Sequence, residues 1–105
     1  MDIGNIKALC RRGAVRYTNH VMLRILQRGI DIIDVETAIM DGEIIREYPE
    51  DYPYPSCQIL GRDRNNQPLH TVCGVSEDHL WLITAYYPDA DEWESDWATR
   101  RGNLK

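Results

Sequence analysis

The sequence predicts an α+β domain of two layers, with helices packed on a four-stranded antiparallel sheet and a last helix closing the chain. Three observations predict it. Residues 1–41 divide into segments opened by capping residues and closed by glycines, as helices are. From residue 43 onward, short apolar runs alternate with turn-forming residues, as strands do. The length, 105 residues, allows one core and a single domain over residues 1–105.

The elements follow in order. "DIGNIKALCRRG" reads as a short helix ending at Gly13. Thr18 or Asn19 caps a second helix, "HVMLRILQR", closed by Gly29, with Ile30 folding back as the apolar partner of a Schellman ending. Asp31 caps a third, "IIDVETAIM", whose Ile32, Val35 and Ile39 share one face and which stops at Asp41-Gly42. "EIIREY" is β-like. "YPEDYPYP" is irregular, because Pro49, Pro53 and Pro55 lack donors and fix φ. "SCQILGRD" and "PLHTVCGVS" flank the turn-rich "RNNQ" as a hairpin, and "EDH" makes another tight turn before "LWLITAYY". That last segment is the most apolar and is expected at the centre of the sheet. In "DADEWESDWATRR", Trp93 and Trp97 stand one turn apart, which predicts a C-terminal helix capped by Asp89 or Asp91 and anchored on the sheet by both indoles.

Composition excludes several classes. No apolar run approaches the ~20 residues of a membrane span. The N-terminus shows no charged-then-apolar export pattern, so a cytoplasmic protein is expected. Cys10, Cys57 and Cys73 are odd in number and widely spaced, which indicates neither a disulfide framework nor a zinc site. No metal and no cofactor are expected. The net charge is −5, yet residues 1–28 carry six Lys/Arg and one acid, while residues 29–55 carry one Arg and eight acids. A basic front on an acidic body still attracts a polyanion locally, since exposed charges are screened within ~8 Å.

The basic front centres on "RYTNHVMLRILQRGI". Residues four apart on a helix lie one above the other, so Tyr17, His20, Arg24 and Arg28 form one stripe opposite Met22, Ile25 and Leu26. Any amphipathic helix has such a wet face. Three potentially cationic groups in one column with no acid on the same helix nevertheless repel, and a phosphate or an acidic neighbour relieves them.

The motifs R-Y-T-x-H-x3-R-x3-R-G-I, G-E-I-I-x-x-Y-P, Y-P-S, L-G, P-L-H and I-T-A-Y-x-P-D, followed by W and R-R, run from about Arg16 to Arg101. Together they resemble the family known as domain of unknown function 4258. The resemblance implies the RelE/MqsR-like toxin superfamily: small α+β domains whose partners are antitoxins, including zinc-finger types similar to the MqsA antitoxin. It implies metal-independent RNA cleavage, in some members on ribosome-bound mRNA, and hence the mRNA interferase of a toxin–antitoxin pair.

Such cleavage needs a base for the ribose 2′-OH, an acid for the departing 5′-oxygen and cations for the phosphoryl charge. Histidine suits the proton roles near neutral pH. His20 heads the stripe and reaches the same ligand as Arg24. His70 lies on a strand, whereas His79 is a loop residue. Of Tyr86 and Tyr87, alternation sends one outward to bond phosphate or stack on a base. The catalytic candidates are therefore His20, Arg24, His70 and Tyr86. The candidates for phosphate contact are Arg16, Arg28, Tyr87, Arg100 and Arg101. The competing expectation is a non-enzymatic interaction domain on the same fold, in which Asp34, Glu36 or Glu43 pairs with Arg24 or Arg28.

Overall fold

A computed structural model describes residues 1–102. Helix α1 spans Ile3–Arg11, strand β1 Val15–Arg16, helix α2 Asn19–Gln27 and helix α3 Ile32–Asp41. Strands β2 (Glu43–Tyr48), β3 (Ser56–Arg62), β4 (Pro68–Val75) and β5 (Leu80–Tyr86) follow.

Local chemistry sets the helix limits. The side chains of Asp2, Thr18 and Asp31 accept hydrogen bonds from Gly4, Val21 and Ile33, satisfying donors that a first turn leaves free. Helix α2 ends in the Schellman geometry. Gly29 N–H donates to Leu26 O and Ile30 N–H to Ile25 O, with Gly29 at φ +70 and Ile30 buried. The left-handed φ there is why glycine stands at this position.

The sheet has five strands in the order β1-β5-β4-β3-β2, and it is mixed. β2 to β5 form the expected antiparallel meander, while the two-residue β1 pairs in parallel with the start of β5. This corrects the four-stranded antiparallel expectation. It also moves β5 from the predicted centre to the position next to the edge, where β4 takes the middle. β5 is apolar because α2 packs along it as well as β4.

The helices cover one face. Val35, Ala38 and Ile39 of α3 are fully buried against Cys57, Ile59, Leu69 and Thr71 of the sheet. The approach is closest at Gly61, where a Cβ would stand 1.8 Å from Ala38 O. The third helix therefore sits on the sheet at a distance only glycine permits.

The predicted C-terminal helix is absent. Residues 89–101 fold as a strap of turns closed by a bridge between Trp93 and Arg100. Short acidic side chains decide this. Asp89 accepts from the amide of Asp91, and Asp96 from those of Ala98 and Thr99. Such bonds offer the backbone an alternative to the helical ladder, and Trp97 adopts φ +61.

Candidate functional site

Strand alternation sorts the sheet residues into two sets. Cys57, Ile59, Leu69, Thr71 and Ala85 lie beneath the helices. The opposite face carries Gln58, His70, Thr84 and Tyr86. In the register His70 faces Tyr86, while Val72 faces both Gln58 and Thr84. Gln58 Nε2 donates to Tyr86 Oη at 2.7 Å, and His70 Nδ1 lies 3.3 Å from both groups.

The strap covers this cluster. His70 Nε2 is 2.7 Å from the carbonyl oxygen of Trp97, which only accepts, so Nε2 carries the proton. The acceptor lone pair of His70 is consequently on Nδ1, which lies 3.3 Å from both the Tyr86 hydroxyl and the Gln58 amide nitrogen. The Trp93 indole stands edge-on to the imidazole at 4.5 Å, and the Arg100 guanidinium lies 5.1 Å from the Trp93 ring centroid. His70 is 0% exposed. Burial holds its pKa below the ordinary histidine value, and the nearby Arg100 acts in the same direction against the Trp97 hydrogen bond. Burial also raises the pKa of the Tyr86 phenol, which is therefore protonated at neutral pH.

Cations border the cluster on the side of α2. Arg28 Nη1 donates to Thr84 Oγ1 at 3.0 Å and to the carbonyl of Ala85 at 2.9 Å, capping the uncovered edge of β5. Thr84 stands two residues before Tyr86, roughly 7 Å along the strand and on the same face. Arg24 and His20 are exposed. Among the described residues neither Arg24 nor Arg28 forms an ion pair. The expected pairing with α3 does not occur. Asp34 instead accepts two hydrogen bonds at Oδ1 and one at Oδ2 from Arg64, which hold its carboxyl below the usual range, and Glu36 accepts from Tyr17 at 2.7 Å. Tyr17 precedes α2 and points at α3, so it is not part of the stripe. Leu26, expected among the apolar residues, is 73% exposed, and the buried side of α2 is Val21 and Ile25.

The predicted residues thus separate into two groups. Tyr86, His70 and Arg100 gather on the helix-free face beneath the strap, while Arg28 stands at the outer edge of β5, with Arg24 one turn behind it. The others do not join them. His20 heads α2, roughly 12 Å along the helix from Arg28. Arg16 points to His79, with Nη2 2.9 Å from the ring Nε2. Tyr87 donates to Asp63 Oδ2 at 2.7 Å, which together with burial pushes its phenol pKa up. Arg101 donates to the carbonyl of Ala90 and lies 3.7 Å from Glu94. Sequence reasoning missed Gln58 and Thr84. The signal for Gln58 was an amide inside the otherwise apolar "SCQILG", and for Thr84 its place two residues before Tyr86.

Among the described residues no group of three His, Cys, Asp or Glu side chains is placed to hold a metal ion. No helix in the same range is long and apolar enough to cross a membrane.

The family described as "Domain of unknown function (DUF4258)" matches residues 17–87. The chain belongs to this family. The matched region of this DUF4258 protein holds α2, Gln58, His70, Thr84 and Tyr86, whereas the strap lies beyond it. No curated protein and no solved structure matches the chain.

Proposed function

We propose that this DUF4258 protein is a RelE-like endoribonuclease, the toxin of a toxin–antitoxin pair, that cleaves RNA through the ribose 2′-hydroxyl without a metal ion. The observation that carries the reading is the Tyr86 hydroxyl, held by Gln58 with the acceptor nitrogen of His70 behind it, on the sheet face whose outer edge carries the Arg28 guanidinium.

His70 is too deep to touch RNA, so the proton moves through Tyr86. The 2′-hydroxyl gives its proton to Tyr86 as Tyr86 passes its own to His70 Nδ1. The 2′-oxygen attacks the adjacent phosphorus and forms a bond to it, and the bond to the 5′-oxygen breaks. That oxygen takes a proton back through Tyr86 from His70, leaving a 2′,3′-cyclic phosphate and a 5′-hydroxyl. The low pKa of His70 keeps it neutral and ready to accept. The free nitrogens of Arg28, with Arg24, neutralise the phosphoryl oxygens, a task suited to guanidinium. Gln58 donates to the tyrosine oxygen and so fixes the direction of the Tyr86 hydroxyl. A partner antitoxin would cover the same face.

The test is purified full-length protein with a labelled single-stranded RNA, analysed for cyclic-phosphate ends, alongside growth on induction. Tyr86→Phe and Arg28→Ala should each lower cleavage by about 100-fold or more while the fold persists, in line with the ~10²–10⁴-fold contribution of a proton-transfer group. Intact RNA with wild-type protein, and no growth arrest, would refute the reading.

The complete burial of His70 favours one alternative, a non-enzymatic interaction domain in which the imidazole merely fastens the strap. In that case Tyr86→Phe changes stability alone.

A further inference from the structure

Next to the candidate site, the helix-free face opens into a groove of about 810 Å³. Its floor is Gly74, where a Cβ would have only ordinary contacts, at 3.8 to 3.9 Å, with Trp81, Ile83 and Tyr54. Its walls are Tyr52 and Tyr54 of the proline-rich loop on one side and Trp81 and Ile83 of β5 on the other. All four are exposed, Tyr52 at 94%. Large aromatic rings left in water around one concavity are costly for a chain with no use for them.

The charges around the groove are uneven. Thr18, the cap of α2, and Val21 within that helix close it on one flank. On a helix, positions 18, 21, 24 and 28 form one row. Arg24 therefore lies between the groove wall and Arg28, which is anchored one residue beyond Ile83. The loop flank is acidic. Asp51 lines it with its carboxylate engaged by the Ser56 hydroxyl, and Glu50 beside it is exposed.

We infer that this groove is a base-stacking subsite for single-stranded RNA, holding the nucleotides next to the scissile phosphate. The bases stack on Tyr52, Tyr54 and Trp81, while the backbone follows Arg24 and Arg28 and is repelled from the Glu50 flank. Stacking reads any base and requires unpaired ones, since a duplex hides its base faces. The groove therefore selects single strands and leaves sequence preference weak. This inference rests on the nuclease reading for its location and adds the class of substrate.

The probe is a labelled 2′-O-methyl oligoribonucleotide of mixed sequence, which has no 2′-hydroxyl to react, measured by fluorescence anisotropy. Tyr52→Ala and Trp81→Ala should each weaken its binding by between about fivefold and about a hundredfold. Gly74→Leu, which fills the groove from its floor, should do the same. An abasic strand of equal length should bind wild type weakly and be indifferent to these variants, and a duplex should compete poorly. Tyr52 is so exposed that its truncation leaves the fold intact, and circular dichroism checks the other two. Binding within twofold of wild type for all three variants, with binding still lost in Arg28→Ala, would overturn the groove and leave the nuclease reading standing. No binding of the oligonucleotide by wild type would overturn both.

Discussion

Trp93→Ala tests whether the strap is a separable cover over His70. Trp93 is 3% exposed, and its ring packs edge-on against His70 of the sheet. Truncating a packed aromatic in a core costs about 3–5 kcal/mol. Here Trp93 lies outside the helix–sheet core cluster, so the loss is capped by what holds the strap down. Burying the indole contributes about 1.5–3 kcal/mol, and its edge contact with His70 about 1 kcal/mol more. A loss of about 3 kcal/mol multiplies the open fraction by roughly a hundred. Hydrogen exchange should show this in the amides of Glu94 and Arg101, which bond to Thr99 O and Glu92 O within the strap. They should exchange about 100-fold faster, while amides of β4 keep their protection. In parallel, the His70 pKa followed by NMR should rise toward 6.5 as burial is relieved. Unchanged strap protection together with an unchanged His70 pKa would refute the reasoning. So would equal loss of protection in strap and β4, which would make them one cooperative unit.

Three further outcomes follow from the same structure. Gly61→Ala places a Cβ 1.8 Å from Ala38 O, so α3 must lift from the sheet; thermal or urea unfolding should show a loss of at least about 1–3 kcal/mol. His70 binds fewer protons folded than unfolded, so its contribution is full above pH 6.5 and declines as pH falls below that value, levelling off under the folded pKa. Urea midpoints at pH 7.5 and 5.5 should therefore differ more for wild type than for His70→Gln, with a limiting slope of about 1.4 kcal/mol per pH unit. Burial raises the Cys10 and Cys57 thiols to about 11, and Cys73 is buried as well. Iodoacetamide at neutral pH should leave all three unlabelled until denaturant is added.

The groove lies outside what residue spacing announces. Tyr52 and Tyr54 read as parts of an irregular proline-rich segment, and Trp81 as one apolar residue in a strand. Only the β2–β3 loop folding over the start of β5 sets their rings around Gly74. The cationic row of α2 was legible because helical spacing is local. Its distance from His70, and the removal of Tyr17, Arg16, Tyr87 and Arg101 from the site, depended on partners remote in sequence.

By itself the sequence determined the three helices, a cap at Thr18 or Asn19 for the second and at Asp31 for the third, the Schellman turn at Gly29 and the succession of four strands joined as antiparallel hairpins. Each of these rests on bonds or periodicities that close within a few residues. Tertiary structure alone decided that β1 adds a parallel edge, that α3 descends onto Gly61, and that the tail lies flat over His70. The tail shows the reason most plainly. Trp93 and Trp97 have helical spacing, but the carboxylates of Asp89 and Asp96 capture the backbone locally, and the indole of Trp93 finds its burial against a histidine that only the sheet register brings beneath it.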